Sequence, residues 1–221
     1  MNRHGVAPHR VLSRGRGYDP RIPHVPEDHA MLSTVHILGI SGSLRAHSTN
    51  TGLLRAAAGA LPPDTELEIV TLHGIPLYNQ DEELAPVDAV RSFKSKIRAA
   101  DAILFAVPEY NYGVAGVLKN AIDWASRPPT DNAWSEKPVA MVGASVGMMG
   151  SGRAQMHLRH SFVTLNMRPL SQPEVQVTFN SKKFDAQGNL TDPDVREHVR
   201  ALLLALVAWT RLLRGEPSTP K

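Results

Sequence analysis

Gly39-Ile40-Ser41-Gly42-Ser43-Leu44-Arg45-Ala46-His47-Ser48-Thr49-Asn50 carries the chain from a short apolar run, Val35 to Ile40, into a helix-like segment, Thr51 to Ala60. The first amides of a helix have no intrahelical partner, and the helix dipole places partial positive charge there. A strand, a turn of Gly, Ser, Arg and Asn, and a helix start therefore form a site for an anionic group. Serine hydroxyls and the Arg45 guanidinium add donors. No Asp or Glu occurs from His29 to Pro63, so no sequence neighbour repels a phosphate. The same residue types also suit an ordinary turn; the phosphate reading gains weight from the rest of the chain.

The common nucleotide fingerprints do not match. A nucleoside-triphosphate loop needs a lysine that is missing near this turn, and the dinucleotide fingerprint needs glycines where Ser41, Leu44 and Arg45 stand. What remains is a hydroxyl-lined loop for a single terminal phosphate, as in a flavin mononucleotide site.

From Val35 onward strand and helix patterns alternate. Strands are expected at Val35–Ile40, Leu67–Leu72, Ala102–Val107, Val139–Ser145 and Glu174–Val177. Helices are expected at Thr49–Ala60, Val87–Ala99, Val114–Ser126, Ser151–Asn166 and Asp194–Leu213. Short β-branched runs separated by helices indicate parallel strands with helical crossovers. In the third helix Val114, Val117, Leu118, Ala121, Ile122 and Ala125 form one apolar stripe at helical spacing. The pattern predicts an α/β flavodoxin-like three-layer sandwich, a five-stranded parallel sheet of order 2-1-3-4-5 with helices on both faces. Such sheets bind ligands at the carboxyl ends of the strands, where the order reverses beside the first strand. The Ser41–Asn50 loop falls there.

Two further loops fall at the same end. After the third strand come Pro108-Glu109-Tyr110-Asn111-Tyr112-Gly113, with two aromatics suited to pack on a planar heterocycle. After the fourth come Ser145-Val146-Gly147-Met148-Met149-Gly150-Ser151-Gly152-Arg153, whose glycines permit close backbone approach and whose Ser151 is placed to cap the next helix. Each loop alone is also compatible with plain cover for the sheet end. Arg153 reads either as an anchor for nicotinamide-cofactor phosphates or as a surface charge.

Composition bounds the function class. A chain of 221 residues, 42% hydrophobic and 20% charged, suits one α/β domain. Its formal charge of +3 is uneven: residues 1–30 hold five Arg against three acids, and the remainder is close to neutral. A basic nucleic-acid-binding face is therefore not expected. Cysteine is absent, which excludes disulfides and thiolate chemistry and is compatible with a reducing cytosol. The longest apolar run, Ala201 to Trp209, is half the roughly 20 residues a membrane span needs. Residues 1–33 read as a flexible extension, or as sequence ahead of a start at Met31. The domain is expected over 34–214, with a flexible tail over 215–221.

Taken together, Gly42-Ser43-Leu44-Arg45-x-x-Ser48-x-Asn50, Pro108-Glu109-Tyr110-Asn111, Leu118-Lys119-Asn120-Ala121-Ile122-Asp123-Trp124 and Gly147-x-x-Gly150 resemble the NAD(P)H-dependent FMN reductase family, which includes bacterial chromate and quinone reductases and related azoreductases. The resemblance runs from Thr34 to Asn180. It implies that Ser41, Ser43, Leu44, Arg45, Ser48 and Asn50 form a phosphate loop, that Pro108, Glu109, Tyr110 and Asn111 contact the isoalloxazine and ribityl parts, and that Ser145 and Gly147 lie at the pyrimidine side. Tyr78 and Asn79 resemble a segment that often approaches a partner subunit's site. The resemblance also implies bound FMN, NADPH or NADH as co-substrate, and ping-pong hydride transfer to a small acceptor such as a quinone, azo compound, chromate or free flavin. A cytoplasmic homodimer or homotetramer is expected, with no catalytic acid or base and no metal site.

Other flavodoxin-like functions remain to be weighed. An electron carrier docking to a partner protein is the alternative, although such carriers are usually strongly acidic and this core is near neutral. A phospho-receiver domain needs carboxylates at the end of strand one, where Gly39-Ile40-Ser41 stand. His157 and His160 have helical spacing but lack the companions a metal site needs.

Overall fold

β1 (Val35–Ser41) has six of its seven residues buried, as a strand covered by helices on both faces requires. The computed structural model describes residues 33–216. β1 pairs in parallel with β2 (Thr65–Val70) on one side and β3 (Ala102–Ala106) on the other. Two short antiparallel strands, β4 (Glu109–Tyr110) and β5 (Gly113–Val114), form a hairpin off the main sheet. β6 (Pro138–Ala144) pairs with β3, and its far edge takes both β7 (Arg168–Pro169) and β8 (Val175–Val177) in parallel. With β7 and β8 sharing the fifth place, this is the flavodoxin-like 2-1-3-4-5 order.

Alternation along the strands divides the core. Val35 and Ile37 of β1, with Leu104 of β3 and Val142 of β6, face α1 (Thr49–Ala58) and α5 (Pro193–Leu213). Leu38, Ile40, Ile103, Phe105 and Met141 face α2 (Asp88–Ala99), α3 (Gly116–Ala125) and α4 (Gly152–Thr164). The expected stripe of α3 is present: Leu118, Ala121, Ile122 and Ala125 are buried, and Val114 and Val117 pack at its edge. α5 buries Val199, Leu202, Leu203 and Leu206, leaving Leu204 and Leu212 exposed. Its apolar surface is thus mostly consumed by the sheet.

Several boundaries differ from the sequence expectation for local reasons. β2 starts two residues early because its register with β1 pairs Val35 with Thr65. α3 starts at Gly116 because Gly113 and Val114 are drawn into β5. α4 stops at Thr164, since Asn166 takes φ 56°, which a helix does not tolerate. The expected extension and tail lie outside the described residues apart from Ser33, Gly215 and Glu216. Those are tied down: Ser33 Oγ donates to Glu216 Oε1 at 2.6 Å, and the Glu216 amide donates to the Arg211 carbonyl at 3.0 Å. No helix among the described residues is long and apolar enough to cross a membrane.

Candidate functional site

The turn after β1 is held by its own hydroxyls. Ser41 is fully buried; its Oγ lies 2.7 Å from Thr51 Oγ1 and accepts from the Ser43 amide at 3.3 Å. Ser43 Oγ in turn accepts from the Arg45 amide at 3.3 Å, which leaves its own proton available to a ligand. Ser48 is the N-cap of α1, accepting from the Thr51 amide. Among the described residues, the amides of Thr49 and Asn50 find no acceptor and Arg45 has no carboxylate partner. Its guanidinium makes only a long contact, 3.5 Å, to the His47 carbonyl. Unpaired donors around a helix start are what a phosphate needs.

Asn50 has a second task. Its Nδ2 donates to the Ala144 carbonyl and its Oδ1 accepts from the Ala144 amide, each at 3.0 Å. It clamps the first loop to the end of β6.

Pro108 to Gly113, expected as a loop, is a tight hairpin. Asn111 and Tyr112, its two central residues, have φ 49° and 65°, the signature of the hairpin turn that suits twisted strands. Glu109 reaches from this hairpin to the start of α4. Its Oε2 accepts from the Arg153 and Ala154 amides at 3.1 and 3.2 Å, and its Oε1 accepts from Arg153 Nη1 at 2.8 Å. Ser151, expected as the cap, instead has φ 74° and makes no capping bond; its Oγ accepts from Gln155 Nε2 at 3.2 Å. Arg153 is therefore held in an ion pair, with its guanidinium 3.7 Å from the Tyr112 ring centroid. Gly150 has φ 52°, and a Cβ there would lie 2.6 Å from the Gln176 backbone, so the third loop hugs β8.

The three loops meet at one open cleft. Ser43, Arg45, Ser48, Asn50, Pro108, Glu109, Tyr110 and Ser145 line it. Ser41, Leu44, Asn111 and Gly147 are not in the lining. Ser41 braces the turn from below, Leu44 and Asn111 are exposed, and the Gly147 carbonyl accepts from the Phe179 amide at 3.2 Å. Tyr78 is also elsewhere: its hydroxyl donates to Glu83 at 2.9 Å and its ring meets Trp124 edge-on at 5.1 Å. Burial, then the Glu83 hydrogen bond, raises the Tyr78 hydroxyl above its ordinary pKa. Asn79 caps a one-turn helix by accepting from the Asp81 amide.

Sequence reasoning missed Thr49, Ala144, Val146 and Asn180 in the lining. Asn180 Nδ2 donates to Thr49 Oγ1 at 3.1 Å, and its amide donates to the Ser145 carbonyl, so it joins the first loop to the third. Nothing local announces this role; only the parallel return of β8 beside β6 brings Asn180 there.

The residues fit a flavin mononucleotide. Unpaired donors cluster at the α1 end of the cleft, and the one carboxylate in the lining, Glu109, is already matched by Arg153. The fold is flavodoxin-like, and the donors at one end of its carboxyl-end cleft suit a mononucleotide's phosphate. The chain belongs to the NADPH-dependent FMN reductase family, whose sequence profile matches residues 35–182. It is 52% identical over 186 residues to an NAD(P)H-dependent FMN reductase of Pseudomonas aeruginosa, covering 84% of this chain and 100% of that one. It is 42% identical over 194 residues to a probable NADPH:quinone oxidoreductase of Oryza sativa, covering 85% and 94%. The solved structure of FerB, a flavoenzyme NAD(P)H:(acceptor) oxidoreductase from Paracoccus denitrificans, superposes with a TM-score of 0.74 at 30% identity, covering 81% of this chain and 98% of that one. As a family member this chain is an oxidoreductase that uses FMN and NAD(P)H.

Proposed function

We propose that the cleft seats FMN and that the enzyme runs a ping-pong cycle, taking a hydride from NADPH or NADH and passing electrons to a small acceptor. FMN, when bound, supplies the hydride acceptance and release. The chain supplies the seat. Arg45, the Ser43 hydroxyl and the start of α1 are assigned to the phosphate, and Pro108 to Tyr110 and Ser145 to Val146 to the ring. Tyr110 is 58% exposed, which supports an open face on which co-substrate and acceptor alternate. The convergence of all three loops on one cleft carries this reading. The quinone oxidoreductase relative supports quinones as acceptors, with azo compounds, chromate and free flavin in the same class of small oxidants.

The test is the visible spectrum of the purified protein with FMN, followed by anaerobic NADPH. Flavin bands that appear and then bleach are the expected result. Bound flavin that stays oxidised would indicate an electron carrier, and no flavin uptake would overturn the cleft assignment.

The same reading includes a cytoplasmic homodimer or homotetramer. The absence of cysteine suits a reducing compartment. Exposed Tyr112, Met148, Met156 and Val163 on and beside α4 support self-association. Light scattering should give two or four times 24.1 kDa, and a 24.1 kDa species would refute it.

A further inference from the structure

We infer that Glu109 is a positioning residue: its carboxylate pins the hairpin to the α4 loop and cancels the positive charge that α4 and Arg153 would present to the cleft. The inference rests on the cleft being the flavin's seat.

The geometry of the interlock is closed on itself. Glu109 has only 9% of its side chain exposed, and three donors occupy its two oxygens. Two of those donors are the second and third amides of α4, so the cap of this helix comes from 44 residues earlier in the chain. The third is the Arg153 guanidinium, whose other face lies on Tyr112. Tyr112 sits at φ 65°, a conformation that bulky side chains rarely hold without support. Hairpin residues 109 and 112 thus grip one α4 residue from two sides. A hairpin so small has little stability of its own; the grip supplies it.

The charges follow the same logic. A helix start carries about half a positive charge, and Arg153 adds a full one beside it. Glu109 offsets most of this sum at the cleft wall it lines. Without the carboxylate, the net positive charge would favour the more negative, reduced form of a bound flavin. Without the guanidinium, the balance would tip the other way. A residue that merely packed would loosen the site in the same sense whichever partner was removed.

The experiment compares wild type, Glu109→Gln and Arg153→Met, each loaded with FMN, by equilibrating the bound flavin with redox dyes. The expected midpoint shift is positive for Glu109→Gln and negative for Arg153→Met. A tenfold change in relative hold on the two flavin forms equals about 30 mV for a two-electron couple. Amide exchange, read without flavin, should accelerate at Ala154 by tenfold or more in a third variant, Glu109→Met, which removes both carboxylate oxygens, and less in Glu109→Gln and Arg153→Met, which keep an acceptor there. Shifts of the same sign, or none, overturn the charge role; unchanged exchange at Ala154 overturns the pin. If Glu109→Gln fails to fold, Arg153→Met decides alone, since only a negative shift agrees. Wild type that takes up no FMN defeats the cleft reading instead, and the exchange measurement still judges the pin.

Discussion

At the amino end of the sheet most charged side chains are matched to one another, whereas at the carboxyl end donors are left over. The amino end pairs Arg214 with Asp101, Arg168 with Glu136, and both Lys94 and Arg98 with Asp131. Lys137 Nζ donates to the Arg98 and Ala100 carbonyls, and burial holds its pKa below the usual lysine value. These groups fasten strand starts to helix ends. The carboxyl end instead presents Arg45 and the first amides of α1 without carboxylate partners among the described residues, ringed by exposed Tyr110, Val146 and Met148. The amino end is built mostly from matched pairs, and on our proposal an anionic, planar guest takes up the donors left at the carboxyl end.

The largest effect should come from the support beneath the phosphate turn. Gly52 lies one turn into α1, and a Cβ there would meet the Gly188 carbonyl oxygen at 1.8 Å. That turn is fixed to α1 by Arg55, whose Nε donates to Asn189 Oδ1 at 2.8 Å and Nη2 to the Gly188 carbonyl at 3.1 Å. It cannot retreat cheaply. Gly52→Ala should cost about 3 kcal/mol in urea unfolding and weaken FMN binding too, because Gly188 abuts the His47 backbone. Unchanged stability would show that the two turns are not coupled.

How far the sequence revealed this architecture depended on how local each cause was. β1, β3 and α3 were legible because period and burial are set within ten residues. The hairpin was not: Asn111-Tyr112 lacks the glycine that advertises such a turn, and its support, Arg153, comes from another loop. The fifth strand appears in two pieces because Pro169 and Pro173 cannot donate to the ladder. The sequence points to Ser151, the nearest hydroxyl, as the cap of α4, while the real acceptor is Glu109. In the cleft, residue types were readable and roles less so. Ser41 and Ser43 look alike in sequence, yet strand alternation turns Ser41 into the core.

A smaller and more selective effect is expected at Arg45. Its side chain makes little of the fold, so Arg45→Ala should leave the melting temperature in place. A charged hydrogen bond to a phosphate contributes about 2 kcal/mol, which corresponds to roughly 30-fold weaker FMN binding. Arg98→Ala, at the other end of the sheet, should leave FMN affinity untouched. Equal losses from both would erase the distinction between the two ends; no loss at Arg45 would place the phosphate elsewhere.

The smallest effect belongs to the amino end and carries a pH signature. Lys94 is buried and lies 2.6 Å from Asp131, itself half-exposed. The Lys94 hydrogen bond, outweighing burial and aided by Arg98, lowers the Asp131 carboxyl below its ordinary 3.8. A folded pKa below the unfolded one means stability that is complete above the unfolded value and lost as pH falls through the folded value. Asp131→Asn keeps an acceptor but no charge. It should cost about 1 kcal/mol at neutral pH, the half-exposed carboxylate being partly screened by solvent. Urea midpoints of wild type and variant should then converge as the pH drops below 3.8. A gap that stays constant with pH would mean that Asp131 acts through shape alone, and that the charges at this end are not what hold it together.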